Sequence, residues 1–222
     1  MMSIAADSDL DVQIAVQDEL DWTPDVDAAG IGVAVEDGGV TLSGEVDNYS
    51  ERLAAKRAAF RVRGVRAVVD DLTVHPKAAS SVTEADVATE IERALRGASN
   101  VPETVKAEIH GHNVTLTGEV DWDFQRTAAK RAVQCLRGVY TVNNMITLTP
   151  RPSAADTEER ITNALTRNAQ LDAKTISVTV AGNKVTLTGT VKSWAEKRQA
   201  GNAAWASPHV TDVDNRIIVS AY

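Results

Sequence analysis

The sequence predicts an α+β protein of three tandem units, each a small three-stranded mixed sheet packed by two helices in the order α-β-β-α-β. The main observation is a seven-residue strand motif at Val40–Val46, Val114–Val120 and Val185–Val191, whose copies start 74 and 71 positions apart (114 − 40 and 185 − 114). Apolar residues recur at helical spacing before each motif and with period two around it. Because a repeat of about 70 residues is long enough to form a small domain, three similar tandem domains are predicted.

The first helix of each unit is predicted from apolar residues at positions i, i+4 and i+8, which line one helical face. These residues are Val12, Val16 and Leu20 in the first unit, Val87, Ile91 and Leu95 in the second, and Ile161 and Leu165 in the third. Thr83 and Asp156 are each followed by acidic residues, a pattern typical of an N-cap and a first helical turn.

A β-hairpin, a second helix and a third strand complete each unit. The hairpin turns are predicted at Gly38–Gly39, His110–Asn113 and Ala181–Lys184. The second helices are Ala-rich and basic, at about residues 50–62, 124–136 and 194–206. A helical crossover returns the chain in the same direction, so the third strand should run parallel to the second.

The predicted domains span residues 1–76, 77–151 and 152–222. Their joints, His75–Ser81 and Pro150–Ala155, contain proline, which ends strand pairing and makes linkers of moderate stiffness. A unit of ~70 residues buries a small share of its surface, so each one should be marginally stable on its own.

The composition excludes several classes of protein. A hydrophobic content of 43% is that of a globular chain, and no apolar run approaches the ~20 residues of a membrane span. The net charge of −8 repels phosphate, so nucleic acid is not expected as a partner. The N-terminus lacks a basic region followed by an apolar one, which predicts a cytoplasmic protein. A periplasmic location is the alternative if the natural chain begins further upstream.

Motifs for catalysis are absent, since the sequence holds no nucleophile elbow, H-E-x-x-H, Walker loop or dinucleotide fingerprint. We therefore predict a protein that is not an enzyme and binds no cofactor. His110 and His112 lie in a turn without a third ligand, so no metal site is predicted. The one cysteine, Cys135, can form no intramolecular disulfide and is expected to be buried in a helix.

The V-T-L-[ST]-G-x-V strand, the Ala/Lys/Arg helix and the following G-V-x-x-V-[DN]-[DN] segment resemble the BON domain family over nearly the whole chain. The family's strand glycine falls on Gly44, Gly118 and Gly189. Its G-V pair falls on Gly64–Val65 and Gly138–Val139, whereas the third copy reads Pro208-His209-Val210. These glycines are predicted to be structural, the strand glycine because the second helix packs closely across it.

The resemblance implies a non-enzymatic binding module for phospholipid surfaces or for membrane and envelope proteins, in an osmotic stress response. Two alternatives from other classes stay open. One is a sensor of a small ligand or of potassium ions, since the acidic first unit could attract a cation. The other is a chaperone-like or structural scaffold, which includes the formation of a homo-oligomer.

The basic second helices are the candidate surface for anionic lipid headgroups, because basic amphipathic helices are typical of membrane-surface binding. The residues are Arg52, Lys56, Arg57 and Arg61 in the first copy and Lys130 and Arg131 in the second. A solvated face that balances the acidic first helix is the alternative. Trp122 and Trp194, at the starts of the second helices, are candidates for membrane insertion or for packing of the helix start onto the core.

Overall fold

The structure is a computed structural model that describes residues 8–76, 82–152, 154–169 and 171–220. The chain has two compact units: one holds the first two copies of the repeat, up to Leu148, and the other holds the third copy, from Thr149. The predicted linkers His75–Ser81 and Pro150–Ala155 lie partly outside the described residues.

The helices and strands follow the predicted order in each copy. The first copy has α1 (Asp9–Asp21), β1 (Ile31–Glu36), β2 (Gly39–Val46), α2 (Tyr49–Ala59) and β3 (Ala67–Val74). The second has α3 (Glu84–Gly97), β4 (Lys106–His110), β5 (Asn113–Thr117), β6 (Glu119–Val120), α4 (Asp123–Gln134), β7 (Thr141–Asn144) and β8 (Thr147–Leu148). The third has α5 (Thr157–Arg167), β9 (Ile176–Ala181), β10 (Lys184–Val191), α6 (Trp194–Trp205), β11 (Asp212–Asn215) and β12 (Ile218–Val219).

Each copy forms a mixed sheet, which confirms the predicted architecture. The hairpin strands β1–β2, β4–β5 and β9–β10 are antiparallel. The last strand runs parallel to the strand before the second helix, so that Gly39 pairs with Ala67 and Val46 with Val74 in the first copy. In the other two copies this last strand is divided into two short parts, and both parts keep the parallel pairing.

Both helices of a copy pack on one face of its sheet, and the predicted apolar positions form the core there. In the first copy Val16 and Leu20 of α1 meet Val40 and Leu42 of the central strand in one buried cluster. The alanines of α2 complete this cluster, because their small side chains let the helix lie close to the sheet. The corresponding residues of the third copy form an equivalent core around Ile161, Leu165, Val185, Leu187, Ala200 and Ala204.

One local prediction is wrong, and a second is confirmed in position but not in its hydrogen bond. The first hairpin turn consists of Asp37 and Gly38, which have φ angles of 49° and 72°, whereas Gly39 already belongs to β2. Positive φ at both central residues matches the twist of the flanking strands, and this favours an Asp-Gly pair. Asp156 is the N-cap residue of α5, as predicted, but its side chain makes no cap hydrogen bond; the carboxylate accepts from Arg160 at 2.6 Å instead.

The strand glycine is required because two backbones approach each other closely. Gly44, Gly118 and Gly189 have φ angles of 118°, 126° and 124°. A Cβ atom on any of them would lie less than 3.0 Å from a backbone carbonyl oxygen. That oxygen belongs to a residue just before the antiparallel neighbour begins: Gly30, Thr104 or Thr175. The prediction that the second helix excludes a side chain here is therefore wrong, since the backbone that leads into the neighbouring strand does so.

We expect Gly118→Ala to destabilise the second copy by at least about 2 kcal/mol, because the substitution combines an unfavourable φ with a backbone clash. Urea denaturation of the full chain measures this effect. Gly97→Ala is the matched control in the same copy, since a Cβ there meets nothing within 4 Å. Alanine is the better helix former, so the control should leave stability unchanged or raise it. Equal effects of the two substitutions would contradict the assignment.

Candidate functional site

The second helix of each copy begins with hydrogen bonds that tie it to the end of the preceding strand. The side chain at the third helical position accepts a backbone N–H from the residue after the strand. The pairs are Glu51 with Asp47 (2.7 Å), Gln125 with Asp121 (3.1 Å) and Glu196 with Lys192 (3.2 Å). These bonds satisfy backbone donors that have no partner within the helix and fix the point where the helix leaves the sheet.

The second copy departs from the other two at the N-cap of this helix. Asn48 and Ser193 each accept the N–H of the third helical residue through a side-chain oxygen, at 2.9 and 3.2 Å. Trp122 occupies the same position in the second copy and has no oxygen to offer. Loss of such a cap costs typically ~1 kcal/mol. A residue that breaks a local rule in this way is characteristic of a functional position.

Trp122 belongs to an aromatic pair at the start of α4. Its ring centroid lies 6.4 Å from that of Phe124, and 55% of Phe124 is exposed. Arg131 follows Phe124 by seven residues, which places it on the same side of the helix, opposite the buried Ala129 and Val133. We call Phe124 and Arg131 the outer face of α4; Lys130 is half-buried and lies at the edge between this face and the buried side of the helix.

In the first copy the predicted lipid-binding residues Arg52 and Lys56 are held by Asp70, which faces α2 from β3. Arg52 Nε lies 3.0 Å and Lys56 Nζ 2.9 Å from the carboxylate oxygens. Burial raises the pKa of Asp70, but hydrogen bonds and charge attraction from Lys56 and Arg52 outweigh it, so that this pKa lies below its ordinary value. The carboxylate is thus ionised at neutral pH and offsets part of the positive charge.

The second and third copies have asparagine in place of this aspartate. Asn144 and Asn215 donate through Nδ2 to the helix carbonyls of Arg126 and Lys197, at 2.9 and 3.0 Å. The helix is held to the strand in all three copies, but by an amide without charge in the last two. No hydrogen bond or ion pair reaches Lys130 from the residues that the structure describes.

The other predicted basic and tryptophan residues have different surroundings. Arg57 is exposed, whereas Arg61 pairs with Glu19 at 2.6 Å. Trp194 is half-buried, and Lys197 Nζ lies 5.1 Å from its ring centroid. The structure therefore brings an exposed aromatic side chain, Phe124, and an exposed basic residue, Arg131, to one helix face in the second copy. Sequence reasoning overlooked Phe124 and the Asp70/Asn144/Asn215 position, although alignment of the three copies would have shown both.

Gly64 and Gly138 lie between the second helix and the last strand, with φ angles of 89° and 85°. The Gly138 carbonyl is 2.8 Å from His112 Nδ1, and the His112 ring stacks on Tyr140 with 4.7 Å between centroids. His112 thus anchors this connection. No group of three or more residues suited to hold a metal ion occurs within the described ranges.

Cys135 is exposed, so the prediction that it is buried is wrong. The helix α4 ends one residue earlier, at Gln134, and Cys135 is its C-cap. The apolar neighbours Val133 and Leu136 suggested a buried position, but the outward direction of residue 135 follows from its four-residue spacing to Arg131.

An open cleft in the first copy has several carboxylates along its rim. Its lining residues are Pro24, Asp25, Val26, Asp27, Asp47, Asn48 and Glu51. Both oxygens of the buried Glu51 accept backbone N–H groups, from Asp27 at 2.8 Å and from Asp47 at 2.7 Å. This carboxylate therefore has a structural role at the helix start. Among the described residues, no helix has the length and apolar content that crossing a membrane requires.

Comparison with known proteins identifies the family. The BON domain family model matches three times, at residues 8–76, 83–150 and 153–221. No curated protein matches the chain.

Two solved structures of CdsD, a structural protein of the type III secretion system of Chlamydia trachomatis, align with it. For the C-terminal domain of CdsD the identity is 13% and the TM-score 0.27, with 99% of this chain and 100% of that chain covered. The second structure has 11% identity and a TM-score of 0.28, with 96% and 93% covered. TM-scores this low do not show that the two proteins share an overall fold. The three matches of the family model show that the chain belongs to the BON domain family and consists of three consecutive BON domains.

Proposed function

We propose that this protein is a non-catalytic binding protein that attaches to the surface of anionic phospholipid membranes through the outer face of α4 in the second copy. The observation that carries the proposal is the exposure of Phe124 and Arg131 on one side of α4, with the half-buried Lys130 at the edge of that side. An aromatic ring inserts at the level of the lipid headgroups, and basic side chains on the same face attract anionic lipid.

The charges near α4 support this choice among the three copies. In the first copy Asp70 offsets Arg52 and Lys56, and in the third copy Gly201 occupies the position of Lys56. In the second copy the amide of Asn144 replaces the carboxylate while Lys130 is retained. The net charge of −8 opposes approach to an anionic surface at long range, so binding depends on the local contact and on ionic strength.

The first test is sedimentation with vesicles of phosphatidylcholine alone or with phosphatidylserine, over a series of salt concentrations. We expect binding that requires phosphatidylserine and weakens with salt. Phe124→Ala with Arg131→Glu should reduce the partition constant by more than ~10-fold, since an apolar ring and two units of charge are lost from the contact. Both side chains are exposed, so the fold should be retained, and circular dichroism checks this.

The control is Leu10→Ala with Arg57→Glu. It truncates an exposed apolar side chain of the first copy and reverses the charge at Arg57, the arginine that corresponds to Arg131. This variant should bind vesicles like the natural sequence. Absence of binding at low salt by the unmodified chain, or equal losses in the two variants, would refute the proposal.

A second test converts the first copy to the arrangement of the second. Asp70→Asn should preserve the fold, because an asparagine amide holds the helix at this position in both other copies. The change releases Arg52 and Lys56, and a basic residue near an anionic surface contributes about 1 kcal/mol. We therefore expect the partition constant for phosphatidylserine vesicles at low salt to rise by at least ~5-fold. Asp71→Asn, an equal change of charge on the other face of the same strand, should have a smaller effect.

A further inference from the structure

The solvent side of α1 in the first copy is unusually apolar. Val12, Val16 and Leu20 bury the inner side of this helix. On the outer side, Leu10 is 63% and Ile14 53% exposed, and Trp22 at the end of the helix is 83% exposed. Large side chains with this exposure contribute little to the core of their own domain.

The second copy does not share the exposed apolar residues Leu10 and Ile14. Alignment of the buried residues Val12 and Val87 places Ala85 and Thr89 at the corresponding positions of the second copy. The fold therefore does not require Leu10 and Ile14. Large exposed apolar side chains that the fold does not require are typical of interaction sites, and tryptophan is among the residues enriched at the centres of such sites.

Acidic residues accompany the apolar ones. Asp18 and Asp21 follow Leu10 by eight and eleven residues, so they extend the same outer side of the helix. Asp9 and Asp11 lie nearby but serve the fold: Asp9 accepts the N–H groups of the first hairpin turn, and Asp11 forms the capping box with Ser8. We call Leu10, Ile14, Asp18, Asp21 and Trp22 the acidic face of α1.

We infer that the acidic face of α1 docks a basic amphipathic segment of a partner protein. Its apolar side chains would be buried against the apolar side of that segment, and Asp18 and Asp21 would meet lysine or arginine at its edge. The negative charges of Asp18 and Asp21 would repel an anionic membrane, so a membrane is excluded as the ligand of this face. The inference does not depend on vesicle binding by the second copy, so either can fail without the other.

The test uses the full chain and two labelled helical peptides of identical apolar pattern, one of leucine and lysine and one of leucine and glutamate. Fluorescence anisotropy measures binding. We expect the lysine peptide to bind with an affinity that falls with salt, and the glutamate peptide not to bind. Leu10→Gln with Ile14→Gln should weaken binding of the lysine peptide by at least ~10-fold, because two apolar side chains leave the contact.

Two controls separate this docking site from unspecific attraction to an acidic protein. Ile218→Gln removes an exposed apolar residue of the third copy and should leave the peptide affinity unchanged. Asp18→Asn with Asp21→Asn should weaken binding more than Asp71→Asn with Glu45→Gln, which removes the same number of exposed charges elsewhere in the first copy.

Three outcomes would overturn the inference: equal binding of both peptides, equal effects of the site and control variants, or unchanged affinity in the Leu10 and Ile14 variant. Light scattering is measured in parallel. A dimer that the Leu10 and Ile14 substitutions dissociate would show that the face binds a second copy of this chain, and the basic segment would then be rejected.

Discussion

The attachment of the second helix to the last strand determines which residues each copy presents to solvent. One side chain, Asp70, Asn144 or Asn215, faces the helix from the sheet and also accepts the backbone N–H two residues later, at 3.4, 3.3 and 3.3 Å. The helix cannot rotate about its axis without breaking this contact. Alanines and valines therefore stay on the sheet, and residues such as Phe124 and Arg131 stay outside.

The same position shows how one geometry serves two electrostatic arrangements. An amide donates directly to the helix carbonyl, whereas a carboxylate can only accept and thus needs positive side chains around it. Arg52 and Lys56 meet this need in the first copy. Replacement by asparagine removes this need, and the lysine at the equivalent position of the second copy, Lys130, has no acidic partner among the described residues. A single substitution between duplicated domains thereby changes the role of a basic residue from internal partner to surface group.

Most of the fold could be predicted from the sequence, because the repeat and the two periodicities are local. Val12, Val16 and Leu20 lie on the face that their spacing predicts. The errors concern contacts between distant segments. Nothing near Gly44 in the sequence indicates that Gly30 lies against it, and the pairing of Arg52 with Asp70 spans 18 residues. The error at Cys135 is local instead: its apolar neighbours Val133 and Leu136 suggested burial, whereas its spacing to Arg131 places it on the outer side of the helix.

The position of Cys135 has a practical consequence. The chain contains a single cysteine, and its thiol lies at the end of the helix that carries Phe124 and Arg131. A maleimide dye or nitroxide will therefore attach at one known place without mutagenesis. Because this place adjoins the outer face of α4, the spectrum of the label reports whether that helix end enters a less polar or less mobile environment. The natural sequence thus supplies its own spectroscopic probe.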